Sequence, residues 1–315
     1  MNHPKMSRPV YIIRNYHPQD LDKLVQMLIE VQDLGQSECL ISPLDLIESI
    51  SQPNHSFQNN QFVAVSTAEM VGYADMRPEW NIGRVVLRWL THPKHREGSL
   101  SAMLLDRAIS RTRGLGIRSI HANISEDSPM AKQLLTTMGF TFIRRFLELR
   151  LDLSQSIFPE MSKICPPCRP LRPGEEEKLT QLQNRSFTGS WGYNANTVER
   201  ITYRLHLPNA SPEDVILAFD SNKPIGYCWT RVNFRRNKNM SGGSGRIYML
   251  GVDPDYQRRG FGRQLLLAGL SYLKSKGLQL VELTVDSENK GACALYQSLG
   301  FSLWISSLWY EKILD

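Results

Sequence analysis

A run of small and basic residues in the second half of the chain, 257–262, has the composition of a phosphate-binding loop. An apolar segment that ends at Asp253-Pro254 precedes it, and leucines at helical spacing follow it as far as Lys276. A turn between a strand and a helix directs backbone N–H groups and the positive end of the helix dipole at one point, and glycines let a pyrophosphate approach the backbone. We therefore predict an anion site made by Gln257, Arg258, Arg259, Gly260, Phe261, Gly262 and Arg263.

Two other phosphate motifs do not fit this loop. The order of its glycines differs from that of the dinucleotide fingerprint, and no lysine follows in the arrangement of a P-loop. Because a glycine pair alone is weak evidence, the ligand has to be inferred from the residues on either side of the loop.

The loop and its surroundings resemble the coenzyme A-binding segment of the GNAT superfamily of acyl-CoA-dependent N-acyltransferases. The resemblance rests on Gly-Val-Asp-Pro at 251–254, on the glycines of the loop and on the segment 285–301. It implies that acetyl-CoA is the co-substrate and that its pyrophosphate lies on the loop. It also implies that Asn289 and Tyr296, which are seven residues apart and therefore on one face of a helix, meet the cofactor.

The same resemblance implies how an amine would attack the thioester. Backbone groups of Leu250 and Val252 would bind the pantetheine and the thioester oxygen, with the oxyanion donor worth about 3 kcal/mol. Tyr296 would be the general acid that returns a proton to sulfur, a step worth about 10²- to 10⁴-fold, although its spacing alone is equally well explained by a buried position. No side chain serves well as the base, since Asp253 or Glu213 would act only through water.

Three landmarks recur in the same order in both halves of the chain. Gly98 and Gly260 are 162 residues apart, Gly139-Phe140 and Gly300-Phe301 are 161 apart, and Val71-Gly72-Tyr73 and Ile225-Gly226-Tyr227 are 154 apart. Repetition at this distance indicates a duplicated domain of ordinary size. We predict an α/β protein in which two tandem GNAT-like acyl-CoA N-acyltransferase domains each contain a mixed sheet, with boundaries at 1–154 and 167–315 and a proline-containing linker at 155–166.

The first copy lacks the residues on which the chemistry depends. Its loop carries an acidic residue, and Leu100 stands where the second loop has its last glycine. Leu135 matches Tyr296 and cannot transfer a proton, and Ser128 matches Asn289. We predict that the first domain is non-catalytic and that the second is catalytic; whether the first binds coenzyme A stays open.

A tandem pair with a degenerate first half and an intact second half resembles the mycothiol synthase family, which acetylates a cysteinyl amine. The resemblance lies at 215–219, 226–232, 251–254 and 296–301, but Arg246 stands where that family has an activating glutamate. A guanidinium cannot accept a proton, but it can hold an anion. We therefore predict that Arg246 contacts an acceptor with a carboxylate or phosphate near its amine, and that the mycothiol precursor is a poor substrate.

The acceptor class follows from the missing base. An α-amine with a pKa near 8 needs less help to lose its proton than a lysine amine near 10.4, which favours the primary amine of a small metabolite. Acetylation of a protein N-terminal amine and a non-catalytic acyl-CoA-binding or regulatory role stay open. Nucleic acid is not favoured, because aromatic residues are not interleaved with the basic cluster as stacking platforms require.

Composition sets broad limits on location and cofactors. The chain has 315 residues, 41% of them hydrophobic, and its five cysteines are too few and uneven in number to suggest a disulfide framework. No apolar run approaches the roughly 20 residues of a membrane span. We expect a cytoplasmic protein without a metal, since its seven histidines form no cluster and Cys165 and Cys168 have no second pair nearby.

The elements that must position these residues follow from hydrophobic periodicity. We predict strands at 10–14, 61–65, 70–74, 85–87, 119–124, 146–151 and 246–252. We predict helices that begin at Asp20, that run up to about Ser51, that cover 104–113, that end near Met138 and that run from the loop to Lys276.

Overall fold

The computed structural model describes residues 10–33, 57–96, 99–154, 157–207, 210–233 and 243–315. These residues form twelve strands: β1 (Ile12–Asn15), β2 (Gln61–Ser66), β3 (Glu69–Glu79), β4 (Arg84–Thr91), β5 (Ser119–Ser125), β6 (Thr141–Asp152), β7 (Cys168–Pro170), β8 (Val215–Asp220), β9 (Lys223–Asn233), β10 (Ser244–Val252), β11 (Leu280–Asp286) and β12 (Ser302–Ile313). The helices in the same residues are α1 (Leu21–Asp33), α2 (Phe57–Asn60), α3 (Leu100–Gly114), α4 (Pro129–Thr137), α5 (Glu176–Phe187), α6 (Val198–Leu205), α7 (Phe261–Ser275) and α8 (Lys290–Ser298).

The chain divides into two compact units that do not coincide with the two sequence repeats. The first unit consists of Met1–Arg145 and Ser307–Asp315, and the second consists of Phe146–Ser306. Most of β6 therefore belongs to the second unit, although it is the last strand of the first repeat. Most of β12 belongs to the first unit. The predicted boundaries at 154 and 167 stay a prediction about the sequence repeats.

The first unit is a mixed sheet with helices on both faces. Its strand order is β1-β2-β3-β4-β5-β12, antiparallel except for the parallel pair β4–β5. One core lies under α3 and α4, which contribute Leu104 and Leu135, and a second lies under α1, which contributes Leu24 and Leu28.

The second unit repeats this arrangement. Its strand order is β6-β11-β10-β9-β8-β7, antiparallel except for the parallel pair β10–β11. One core lies under α7 and α8 and includes Leu270 and Tyr296, and the other lies under α5 and α6 and includes Leu179, Ile201 and Trp229. The α/β class with two similar mixed sheets, predicted from the repeat, is confirmed.

Helix α7 shows how local sequence fixes the element that carries the loop. Gly260 precedes it with a left-handed φ of 84°, and Gly277 follows it with a φ of 78°, a conformation that glycine adopts without a Cβ penalty. Between them Leu265, Leu270 and Leu273 are fully buried. The helix is therefore delimited by glycines and held by one apolar face.

In both repeats an ion pair connects the start of a helix with the preceding strand. Arg14 on β1 binds the carboxylate of Asp20 with two hydrogen bonds of 2.7 Å, and Arg169 on β7 binds Glu175 with two of 2.8 Å. Each pair is separated by six residues in sequence. The duplication is thus visible in side-chain contacts as well as in the order of the elements.

Several sequence predictions concern positions without a described structure. The predicted helix up to Ser51 and the loop residues Glu97 and Gly98 lie outside the described residues. In the predicted linker, 155 and 156 do so as well, whereas Ile164 is buried against Ile216 and Ala268. Of the helices that are described, none is both long and apolar enough to cross a membrane.

Candidate active site

Strand β10 carries a bulge at the centre of the second unit. Its register with β9 shifts between Ile247 and Met249. Tyr248 and Met249 consequently both pack toward the core under α5, whereas Ile247 and Leu250 pack toward α7. The equivalent strand of the first unit, β4, pairs with β3 without a shift. The bulge is therefore a difference between the units at the position where the cofactor is predicted.

Beyond the bulge, one edge of β10 is open. The parallel pairing with β11 extends from Ser244 to Ile247. The N–H of Asp253 donates to the carbonyl of Ile225 on β9 at 2.8 Å, so alternate residues direct their backbone groups the other way. The backbone groups of Leu250 and Val252 therefore face the gap that opens between β10 and β11. This is the geometry that a bound pantetheine and an oxyanion require.

The predicted phosphate loop lies at the end of this strand. Arg258 has a φ of 61° and Gly260 a φ of 84°, and residues in this conformation near a helix start turn successive N–H groups toward one point. The first N–H groups of α7, at Phe261 and Gly262, have no partner within the helix. The side chains of Arg258, Arg259 and Arg263 are exposed around them. The loop thus combines backbone donors with the positive charge of three exposed arginines.

Several side chains hold the loop in place. Gln257 Nε2 donates to the carbonyl of Val252 at 3.1 Å, and Arg259 donates to the carbonyl of Asp255 at 2.9 Å. Arg263 donates to Ser298 Oγ at 2.9 Å, which connects the start of α7 with the end of α8. The loop, the strand end and α8 are therefore fixed relative to one another.

Gly262 has space for a side chain. A Cβ placed on it would meet Leu295 Cδ2 at 3.7 Å and Val252 Cγ2 at 3.9 Å, which are ordinary contact distances, and its φ is not left-handed. Protein packing therefore does not require glycine here. Close approach of a ligand to the backbone does require it, so the loop fits the pyrophosphate of coenzyme A.

Tyr296 lies on α8 and is part of the core under α7 and α8. The side chain is 7% exposed, and its ring packs edge-on against Phe301 at 5.8 Å between centroids. Burial, with smaller effects from the Cys228 and Cys293 thiols, raises the pKa of Tyr296 above its ordinary value. The phenol is consequently protonated at neutral pH, as a general acid must be.

Asn289 lies just before α8 and caps it. Its Oδ1 accepts a hydrogen bond from the N–H of Ala292 at 3.1 Å. Ser128 accepts from the N–H of Ala131 at 3.4 Å and caps α4 in the same way in the first unit. The residue type at this position is thus explained by helix capping, and a contact of Asn289 with the cofactor stays a prediction.

The two candidate bases differ in how they are engaged. Asp253 is 2% exposed and accepts hydrogen bonds of 2.9 and 3.0 Å from Arg185, whose guanidinium lowers the pKa of that carboxylate. Glu213 is an exposed residue 4.0 Å from Lys276 Nζ. Glu213 precedes β8, which β9 separates from β10, and the carboxylate of Asp253 faces Arg185 on α5.

Arg246 is paired with a carboxylate that sequence reasoning missed. Its guanidinium lies 3.2 Å from both carboxylate oxygens of Glu148 on β6 and also contacts Thr284 Oγ1 on β11. Thr284 in turn donates to Glu148 at 2.5 Å. Glu148 belongs to the first repeat, so no comparison within the second repeat could find it. The only sequence signal was the alternation of charged and apolar residues at 146–151.

The first unit has leucines at the positions that match Tyr296 and Gly262. Leu135 is fully buried in the apolar core, and so is Leu100. His92, which matches Asp253, lies 3.6 Å from Glu30. The expectation of a silent first domain is compatible with this arrangement and stays a prediction.

A split parallel strand pair, a glycine loop at a helix start and a buried, protonated tyrosine in the same unit are the arrangement of an acyl-CoA-dependent acyltransferase. In such a site the open sheet edge would take the thioester, and the backbone amides of the loop would take the diphosphate.

The comparisons with known proteins give the family. The sequence model of the Acetyltransferase (GNAT) family matches residues 30–140 and 177–301. The chain is 33% identical to a mycothiol acetyltransferase of Thermobispora bispora, over 78% of this chain and 80% of the relative. It is 30% identical to a mycothiol acetyltransferase of Amycolatopsis mediterranei, over 93% and 96%.

Solved structures show the same fold at low sequence identity. A GCN5-related N-acetyltransferase from Sphaerobacter thermophilus is 20% identical and has a TM-score of 0.72, with coverage of 96% of this chain and 95% of that chain. A tandem GNAT protein from the clavulanic acid biosynthesis pathway is 14% identical with a TM-score of 0.71, covering 96% and 98%.

The chain belongs to the GNAT acetyltransferase family and is a tandem member of it. It is an N-acetyltransferase that moves an acetyl group to an amine, and the predictions of family, fold and enzyme class are confirmed. The alternative of a non-catalytic acyl-CoA-binding protein is not favoured.

Proposed function

We propose that the second unit acetylates the primary amine of a small metabolite and takes the acetyl group from acetyl-CoA. The observation that carries this proposal is the open edge of β10, where the backbone groups of Leu250 and Val252 face the gap between β10 and β11. The predicted loop at 257–263 would hold the pyrophosphate, and Asn289 would approach the cofactor from the start of α8.

The two faces of the sheet indicate the sides from which coenzyme A and the amine would approach. Coenzyme A would approach from the side of α7 and α8, where the loop and Tyr296 lie. The amine would then approach from the opposite face, where Arg246 lies. The neutral amine attacks the thioester carbon, backbone donors stabilise the oxyanion and Tyr296 protonates the departing sulfur.

The acceptor class is proposed from the relatives and from the surroundings of Arg246. The relatives are named mycothiol acetyltransferases, which makes a cysteinyl amine the first acceptor to test. Arg246 predicts an anionic acceptor, but Glu148 already lies against its guanidinium. An anionic acceptor would therefore have to share Arg246 with Glu148.

The test is a screen of the whole chain with acetyl-CoA and a panel of amines. The panel contains the cysteinyl precursor of mycothiol, glucosamine, L-serinamide, O-phosphoserine and Nα-acetyl-lysine amide. Release of coenzyme A is measured by chromatography, because acceptor thiols would disturb a thiol reagent. We expect turnover of an α-amine and little of the lysine amine. Absence of coenzyme A release with every amine would refute the proposal, and equal rates for serinamide and phosphoserine would remove anion recognition by Arg246.

A further inference from the structure

The contact of Glu148 with Arg246 and Thr284 lies where the amine would arrive. Thr284 faces Glu148 in the antiparallel pair β11–β6, and Arg246 faces Glu282 in the parallel pair β10–β11. That parallel pairing ends at Ile247 and Leu283, so Thr284 is the first β11 residue beyond it. The three side chains therefore meet at the point where β10 and β11 separate.

The cluster lies on the face of the sheet opposite to the one from which coenzyme A would approach. Ile247 and Leu283 pack into the core under α7. Because side chains alternate along a strand, Arg246 and Thr284 project to the other face, and Glu148 meets them there. Its side chain is 12% exposed and that of Arg246 is 29% exposed. The carboxylate is thus held in place yet open enough to meet a ligand.

The first unit provides an internal comparison. Val86 faces His121 there as Arg246 faces Glu282, and Asn123 faces Trp309 as Thr284 faces Glu148. The positions of the cluster are therefore Val86, Asn123 and Trp309 in the unit that also has Leu135 in place of Tyr296. The carboxylate and the phenol occur together in one unit and are both replaced in the other.

A neighbouring ion pair shows what a purely structural pair looks like on the same face. Arg150 on β6 binds Glu282 on β11 at 2.6 Å, between the same two strands that carry Glu148 and Thr284, and the guanidinium of Arg150 lies over the ring of Trp304. Glu282 is therefore covered on its strand by a stacked arginine. It serves as a matched control for Glu148, since both are glutamates paired with an arginine across adjacent or nearby strands.

From this placement we infer that Glu148 is the catalytic carboxylate that takes the proton from the acceptor amine, and that Arg246 is a positioning residue. The inference rests on the proposed function. Glu148 takes the place of the base that the second repeat lacks. The amine nitrogen forms a bond to the thioester carbon and loses its proton to Glu148, directly or through one water. The bond from carbon to sulfur breaks, and Tyr296 supplies the proton that completes the coenzyme A thiol.

The experiment compares Glu148→Gln with Glu282→Gln in the full chain, with acetyl-CoA and L-serinamide, from pH 6 to about pH 10. A proton acceptor is worth about 10²- to 10⁴-fold, so kcat/KM for the amine should fall by at least about 10²-fold in Glu148→Gln and by less than about threefold in Glu282→Gln. The loss should shrink toward the alkaline end of this range, because hydroxide can then take the proton from the attacking nitrogen in place of Glu148. Affinity for coenzyme A should stay within about threefold.

Glu148→Asp serves as a second variant, because it keeps the charge and the pairing with Arg246. It should retain the wild-type shape of the pH profile with a loss of about tenfold, and it decides the question if Glu148→Gln does not fold. Equal kcat/KM in wild type and in either Glu148 variant, or a Glu148→Gln loss that is the same at every pH, would overturn the inference and leave the acetyltransferase proposal standing. No turnover of any amine by the wild type would refute the proposed function and the role of Glu148 with it.

Discussion

At the scale of single residues, Gly262 is a position where protein packing allows a side chain but a bound pyrophosphate would not. A side chain there meets only ordinary contacts with Leu295 and Val252, so Gly262→Val should fold. The added volume should keep a pyrophosphate from the backbone N–H groups and raise the dissociation constant for coenzyme A by at least about 10²-fold. Calorimetry measures this, with Gly114→Val as the control, because that glycine has open space around it in the first unit.

The opposite result would show that the second repeat is not the one that binds coenzyme A. If Gly262→Val binds coenzyme A as the wild type does, while a substitution of Gly98 removes binding, the cofactor belongs to the first repeat. Gly98 should instead tolerate a side chain.

Tyr296 gives the second prediction at this scale. Tyr296→Phe removes only the hydroxyl, so coenzyme A affinity should stay within a few-fold while kcat falls by about 10²-fold or more. Tyr272→Phe is the matched control, because its hydroxyl donates to Asp214 at 2.9 Å and its loss should cost about 1 kcal/mol of stability without an effect on kcat. A Tyr296→Phe variant with wild-type kcat, under conditions where chemistry limits turnover, would exclude the phenol from the mechanism.

Sequence reasoning reached the residues that lie close together in one repeat. The loop at 257–263 is predicted from its glycines and the elements on either side of it, and Tyr296 is predicted from the resemblance to the GNAT superfamily. Glu148 did not follow, because its neighbours Arg246 and Thr284 are 98 and 136 residues away. Contacts at that separation depend on strand pairing, which local patterns do not encode.

At the scale of elements, the bulge in β10 sets the position of Leu250. Deletion of Tyr248 should produce a regular strand like β4, whose register with β3 has no shift. The chain beyond would move by about 3.3 Å relative to α8, and a displacement of about 1 Å can cost 10²-fold in rate. We expect kcat to fall by at least that factor while the circular dichroism of the folded chain is retained.

A deletion variant with wild-type kcat would show that the bulge has no part in placing the oxyanion donor. Substitution of Tyr248 by Phe keeps the extra residue and is the control, and it should leave the register unchanged.

The ion pair at the start of α5 predicts a pH dependence of stability. The Arg169 guanidinium lowers the pKa of Glu175 to about 2, against an unfolded value near 4.3. A lowered folded pKa stabilises the protein fully above the unfolded pKa, and this stabilisation is lost as the pH falls through the folded pKa. Glu175→Gln should therefore lower the free energy of unfolding by about 2 kcal/mol at pH 7 and by progressively less from about pH 4 down to pH 2.

Denaturant titrations at several pH values test this. Glu160→Gln is the control, because Glu160 forms an exposed pair with Lys163 that is worth less than about 1 kcal/mol. A difference between Glu175→Gln and wild type that does not depend on pH would mean that packing, and not the charge, accounts for the effect.

Most of the described strands and helices could be predicted from hydrophobic periodicity, but the residues at which they begin and end were predicted less accurately. The strand predicted at 246–252 is Ser244–Val252, and the helix predicted at 104–113 is Leu100–Gly114. The strand predicted at 146–151 extends to Thr141–Asp152. Its first residues, Phe142-Ile143 followed by Arg144-Arg145, do not alternate between apolar and polar. The pairing partners of β6 and β12 are set by tertiary structure and could not be predicted from their sequences.

At the scale of the whole molecule, duplication and compact units follow different boundaries. Residues 146–152 of the first repeat pair with β11 over seven positions, and residues 307–313 of the second repeat pair with β5 over seven positions. Leu149 and Leu151 are buried in the core of the second unit. A repeat cut at its sequence boundary therefore loses a strand of its own unit, and a fragment cut at the unit boundary keeps it.

This difference predicts the behaviour of two fragments. Fragment 146–306 contains all of the second unit, so it should unfold cooperatively and bind coenzyme A with a dissociation constant within about tenfold of that of the full chain. Fragment 167–315 lacks β6 and exposes the edge of β11, an unpaired edge that promotes aggregation. It should be aggregated or unfolded and should not bind coenzyme A.

Calorimetry and sedimentation of both fragments measure their coenzyme A binding and their state of association. If 167–315 folds and binds coenzyme A while 146–306 does not, the sequence repeat is the folding unit, and Glu148 is not needed for the cofactor-binding half to form.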